Sequence, residues 1–145
     1  MRLTAGPLAE LRPLQVHQLY KLRVDVFVHE QQCPYAEIDD TDAAPTTIHI
    51  CAWSGEELLG TARLFPVDSG WQFGRFALVR QARGTGVAGA IMDRALELGA
   101  GHDMLLDAQV PLVAYYERYG FRPVGERFDD AGTPHQPMRR ATVRA

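Results

Sequence analysis

Cysteine is scarce in this chain. Only Cys33 and Cys51 occur in 145 residues, too few for a disulfide framework. Cys51 lies in an apolar, strand-like run where a buried thiol behaves as a small hydrophobe. The five histidines and two cysteines show no metal-ligand spacing, so no metal is expected. Positive charge is not in surplus either: the net charge is −3, whereas nucleic-acid binders usually carry a basic surface. No nucleic-acid partner is expected. Apolar runs fall short of the ~18 residues of a membrane span, and the start MRLTAGPLAEL lacks a charged-then-apolar leader pattern. The expectation is a cytoplasmic protein with no membrane partner. Repeats, low-complexity tracts and linkers are missing too.

What is present is ordinary globular composition, 46% hydrophobic and 23% charged, which argues against disorder. The length suits one domain, residues 1–145, and leaves no room for a second catalytic one. A 3.6-residue apolar period predicts an amphipathic helix over Leu14 to Glu30, with Leu19, Leu22 and Val26 on one stripe. Gln31 to Pro45 is loop-like and acidic. Strands are predicted over Thr47 to Trp53, Leu58 to Phe65 and Trp71 to Val79, joined as hairpins. A helix follows from Gly86 to Gly101, then a strand at Met104 to Ala108, a helix over Val110 to Tyr119, and strands at Phe121 to Phe128 and Gln136 to Val143. This order predicts an α+β (mixed α/β) fold around one central sheet.

The stretch Phe73 to Asp93 runs from a strand into Arg83-Gly84-Thr85-Gly86-Val87-Ala88 and on into a helix. Glycines let a ligand approach the backbone, and a helix start offers free N–H donors and a positive dipole end. A diphosphate is the natural guest. Gly84 to Gly89 literally satisfies G-x-G-x-x-G, with Asp103 and Asp107 roughly 20 residues further on. A dinucleotide domain nevertheless needs parallel βαβαβ halves, and hairpin strands precede this turn. No Gly-Lys-Ser/Thr follows the glycines, so a triphosphatase loop is absent.

A second constellation decides between these guests. Tyr115-Tyr116-Glu117-Arg118-Tyr119-Gly120-Phe121 ends the later helix, so that Tyr-x-x-x-Gly-Phe lies about thirty residues after Arg-Gly-x-Gly-x-Ala. With these motifs and this element order the chain resembles the GNAT superfamily of acyl-CoA-dependent N-acetyltransferases. The run from Leu22 to Tyr35, Asp39 and Asp42, Leu106-Asp107-Ala108-Gln109 and Gly132-Thr133-Pro134-His135 are similar to its ElaA-like branch.

That resemblance implies an N-acetyltransferase that moves an acetyl group from acetyl-CoA to a primary amine, a small molecule or a peptide amino group, by direct attack through a tetrahedral intermediate. It also implies a sheet that is mostly antiparallel and splayed at the acyl-CoA site. Phe76, Ala77 and Leu78 would pair with the pantetheine arm, the Leu78 N–H polarising the thioester carbonyl. Arg83, Gly84, Thr85, Gly86, Val87 and Ala88 would cradle the pyrophosphate. Tyr116 matches the family's acid, its phenol suited to protonating a thiolate of similar basicity, against a reading as a core aromatic. The base stays open between Glu30, at the end of the first helix, and His29 or His135; imidazole is the side chain that titrates nearest neutrality. Glu37, Asp39, Asp40 and Asp42 read as a solvated loop with turn and cap roles, or as a field that attracts a cationic amine. Cys33 would serve as a nucleophile only beside an activating base, which the sequence does not show. Family members often dimerise, so a homodimer is the expectation carried over. The alternatives are a non-catalytic acyl-CoA sensor on the same fold and a dinucleotide-binding module.

Overall fold

β-Branched and aliphatic residues in alternation build the sheet from its middle outward. A computed structural model describes residues 1–31 and 36–142. The strands are β1 (Arg2–Gly6), β2 (Ile48–Ser54), β3 (Glu57–Val67), β4 (Gly70–Leu78), β5 (Met104–Gln109), β6 (Arg122–Pro123), β7 (Phe128–Asp130) and β8 (Thr133–Arg140). Their order is β1-β2-β3-β4-β5-β8-β6, with β7 also on β8. All neighbours pair antiparallel except β4 and β5. The helices are α1 (Pro13–Arg23), continued by a π-helical segment Val24–Glu30, then α2 (Val87–Leu98) and the short α3 (Val113–Glu117).

Alternation on β2 sorts the core into two layers. Ile50 and Ala52 join Ile91, Met92 and Ala95 of α2, while Cys51 and Trp53 join Leu19 and Leu22 of α1. Successive strand side chains point to opposite faces, so helices cover both sides and all four residues are buried. The Cys51 thiol is pushed up to about 11 by burial, which leaves it an inert core group.

The expected helix over Leu14 to Glu30 is present as one continuous helical stretch, wound wider in its last seven residues. The predicted strand Phe121 to Phe128 is instead two short pieces, β6 and β7. Gly125 turns the chain between them with φ +68°, and both lie along the outer edge of β8. β1 was not foreseen. Its five residues form the sheet edge and carry no strong alternation; pairing with β2 makes them a strand.

The acidic loop is corrected by the structure. Glu37 and Asp42 are not solvated: both are buried, along with Arg23 and Arg63. Arg23, at the end of α1, bonds Asp42 through Nη1 to Oδ1 at 2.7 Å and Nη2 to Oδ2 at 3.1 Å, and donates Nε to Glu37 at 3.1 Å. Arg63 of β3 donates to Asp39 at 2.8 Å and to Asp42 at 3.0 Å. Asp39 and Asp42 also cap the short turn Asp40–Ala43 reciprocally. Buried charges must be paired, and this network clamps the loop to α1 and β3. Burial raises the Asp42 carboxyl, but the Arg23 hydrogen bonds and charge outweigh it and bring it down to about 2.

Candidate active site

The site begins where strand pairing stops. β4 and β5 are bonded only at Trp71 with Met104 and Gln72 with Leu105, after which the two parallel strands diverge. On its other side β4 stays paired with β3, but the register shifts: Thr61 faces Ala77 and Arg63 faces Gly74. β4 therefore carries one extra residue, a bulge at Arg75 and Phe76. Arg75 takes the left-handed conformation, φ +51°, which is strained for a non-glycine residue. The bulge changes which way the chain faces. Phe73 and Phe76, three apart, would lie on opposite faces of a regular strand, yet their rings meet edge-on at 5.4 Å.

Between the splayed strands lies a cavity of about 430 Å³, within the range of small-molecule sites. Its walls include Phe76 of β4, Asp107 of β5, Tyr116 of α3 and His135 of β8. Beyond the bulge, Leu78 opposes Gly60, and the next pair is closed by Val79 N–H donating to Leu59 at 2.9 Å. In an antiparallel ladder bonded and non-bonded pairs alternate, so the Leu78 N–H and C=O point away from β3, on the edge that β5 has left. Ala77 faces the α1 layer and is buried.

Between the end of β4 and the start of α2 stands the glycine turn. Gly84 and Gly86 are left-handed, with φ +75° and +93°, and a Cβ on either would meet nothing within 4 Å. Glycine is required there by backbone conformation, and the space beside it is open to a ligand. Gly86 is the N-cap of α2 without any side-chain cap, so the N–H groups of Val87 and Ala88 have no partner within the helix. Arg83 donates Nη2 to the Leu78 carbonyl at 3.2 Å and grips Glu30 with Nη2 at 3.1 Å and Nη1 at 3.0 Å. Those hydrogen bonds hold the Glu30 carboxyl below its ordinary value. Glu30 thus sits against Arg83, with Arg80 also at 3.6 Å, and is not among the residues lining the cavity.

Tyr116 is 7% exposed; burial pushes its phenol well above the ordinary range. Among the described residues its hydroxyl has no hydrogen-bond partner, and the ring is held by Tyr115 at 5.4 Å and Phe121 at 6.0 Å. His135 Nδ1 lies 2.8 Å from the Thr133 carbonyl, which can only accept. Nδ1 must therefore carry a proton, and in the neutral ring Nε2 keeps its lone pair. The ring stacks on Phe128 at 5.5 Å. Asp107 faces the same cavity, its carboxyl raised from the ordinary value by burial, with Asp130 adding to the rise and His135 opposing it. The sequence reading missed Asp107 as a site residue, because only the pairing of β5 with β8 sets it beside His135. Cys33 lies outside the described residues.

A mixed sheet split open between two parallel strands, with a glycine-capped helix at the opening, is the acyl-CoA N-acyltransferase fold. Residues 12–142 match the model of the acetyltransferase (GNAT) domain, and the chain belongs to that family. It is 35% identical to protein ElaA of Escherichia coli over 94% of both chains. The E. coli ElaA crystal structure superposes with a TM-score of 0.88 at 33% identity, covering 96% of this chain and 98% of that one. An acyl-CoA N-acyltransferase from Pseudomonas aeruginosa superposes with a TM-score of 0.90 at 36% identity, covering 97% of this chain and 100% of that one. An aminoglycoside 6'-N-acetyltransferase complexed with coenzyme A, 16% identical, shares the fold, with a TM-score of 0.72 and coverage of 100% and 99%.

Proposed function

We propose that this protein is an N-acetyltransferase that moves an acetyl group from acetyl-CoA to a primary amine. The observation that carries the reading is the splay after Gln72 and Leu105, which opens a cavity walled by Phe76, Tyr116, His135 and Asp107. The residues fit acetyl-CoA. The unpartnered amides at the start of α2 and the open space beside Gly84 and Gly86 suit a diphosphate, and the free edge of β4 at Phe76 to Leu78 suits an amide-bearing arm. Bound there, acetyl-CoA supplies an activated acyl group.

This chain's own groups have separable tasks. The Leu78 N–H is a fixed donor for the acyl carbonyl oxygen, where charge builds during attack. His135 Nε2, with Asp107 beside it, takes the proton of the attacking amine. Tyr116, kept protonated by its burial, donates to the departing sulfur. Arg83 turns from Glu30 towards the diphosphate. Of the three catalytic candidates, Glu30 serves through Arg83, since it stands outside the cavity lining and its carboxyl is a weakened base. A doubly wound dinucleotide site does not fit, because β4 and β5 form the single parallel pair among the described strands.

The test is acetyl-CoA-dependent thiol release with amino acids, polyamines, aminoglycosides and N-terminal peptides as acceptors. Release above the hydrolytic background with at least one amine supports the reading. CoA binding without release for every amine would leave a sensor in its place.

A further inference from the structure

The cavity is electrically polarised across the splay. On the β3–β4 side it is lined by Arg63 and Arg75, with Glu37 beside them, and on the β5–β8–β7 side by Asp107, His135 and Asp130. The three arginines of the network, Arg23, Arg63 and Arg75, are held unequally. Arg23, deep in the network, makes its shortest bonds at 2.7 Å. Arg75 reaches Glu37 only at 3.2 Å and Asp39 at 3.4 Å, long for charge-assisted bonds. Its side chain is 28% exposed, and its Nη1 has no partner among the described residues. Arg63 is 6% exposed, and its Nε is a buried donor without a partner, a group whose desolvation is uncompensated. Burial lowers Arg75 from its ordinary value, with Arg63 and Arg23 adding to the effect against Glu37 and Asp39. Burial also raises the Glu37 carboxyl from its ordinary value, with Arg75 and Arg23 opposing the rise. Strain supplies a separate pointer: the bulge places an arginine where glycine would sit relaxed, and such outliers cluster at ligand sites.

From this geometry we infer that the acetyl acceptor is a primary amine that also carries a carboxylate, with the carboxylate bound at Arg75 and Arg63 and the amine directed across the splay to Asp107 and His135. The inference rests on the acetyl-transfer reading of the same cavity. A planar guanidinium matches a carboxylate with two parallel bonds, and an oxyanion there offers an acceptor to donors that the loop carboxylates leave long or unmet. The acidic far wall favours an ammonium group arriving with its proton. A purely cationic polyamine would bring Arg75 and Arg63 no acceptor.

The experiment compares acetyl transfer to the common amino acids with transfer to the matching amino acid amides, which keep the amine and lose the anion. Aminoalkyl phosphates, polyamines and neutral amines complete the set. At least one amino acid should exceed its amide in kcat/KM by about tenfold or more, the usual worth of a charged hydrogen bond. In Arg75→Gly, which relaxes the left-handed backbone, that ratio should collapse towards one with the loss falling on KM; Arg75→Lys should recover part of it. A melting temperature close to wild type establishes that R75G is folded. Equal rates for acids and amides, or turnover confined to polyamines or phosphates, overturn the carboxylate assignment while leaving acetyl transfer standing. No transfer to any amine overturns both.

Discussion

In the proposed reaction a tyrosine and a histidine carry the proton transfers at the residue scale. Tyr116 is buried, its phenol is raised, and its hydroxyl has no partner among the described residues. Tyr116→Phe keeps the ring packed against Tyr115 and Phe121 and removes only the proton. We expect kcat to fall on the order of a hundredfold with CoA affinity, measured by calorimetry, within about twofold. Unchanged turnover would remove Tyr116 from the acid role. For His135, the bond from Nδ1 to Thr133 sets which nitrogen is free, so His135→Gln should lower kcat/KM on the order of a hundredfold with CoA affinity unchanged. Unchanged turnover would transfer the base role to Asp107. Both residues were named from sequence; the tautomer was not, since it depends on the carbonyl of Thr133, two residues away at the start of β8.

Among the elements, β4 decides whether a cavity exists. Its first residue, Gly70, has φ +147° and packs so closely that a Cβ would overlap the Asp103 carbonyl. That approach lets Trp71 N–H bond Asp103 at 2.9 Å and begins the short parallel pairing with β5. Gly70→Ala should cost roughly 1–3 kcal/mol in a urea titration, through overpacking against backbone. At the other end, Gly86 holds the left-handed N-cap of α2. Gly86→Ala should weaken CoA binding by about tenfold, because a methyl group strains the turn and enters the space offered to the diphosphate. The glycine turn was legible because its function needs specific residue types. The bulge was not, since backbone pairing tolerates many side chains and an arginine gives no sign of a left-handed position.

Whole-molecule stability leans on the buried Arg23–Asp42 pair, which ties α1 to the loop before β2. Breaking one partner strands a buried charge, so Arg23→Leu should cost about 3–5 kcal/mol, seen as a melting temperature lower by roughly 10 °C. The Arg23→Leu/Asp42→Asn double variant should lose less than the sum of the two single changes. Acid should act on the same pair. Asp42 lies at about 2 when folded against 3.8 ordinarily, so its contribution is complete above pH 3.8 and is lost as pH falls towards 2. Glu37 works in the opposite sense, since its raised carboxyl takes up a proton first and that uptake favours the folded state. Urea midpoints against pH should drop steeply below pH 4 in the wild type and less so in Asp42→Asn.

Sequence by itself determined what depends on local pattern: the helical stripe of Leu19, Leu22 and Val26, the hairpin strands, the glycine turn and the tyrosine placed ahead of Gly120-Phe121. Periodicity and backbone conformation are written in neighbouring residues, so they can be read there. Tertiary structure decided what depends on contacts between distant segments. Glu37 and Asp42 read as a solvated acidic loop until Arg23, Arg63 and Arg75 arrive from three other elements to bury and pair them. Asp107 gains its raised carboxyl only when β5 lies along β8, and Glu30 becomes the partner of Arg83 only when the π-helical segment ends beside the glycine turn. Charge and burial are properties of the surroundings, and the fold assembles those surroundings from residues tens of positions apart.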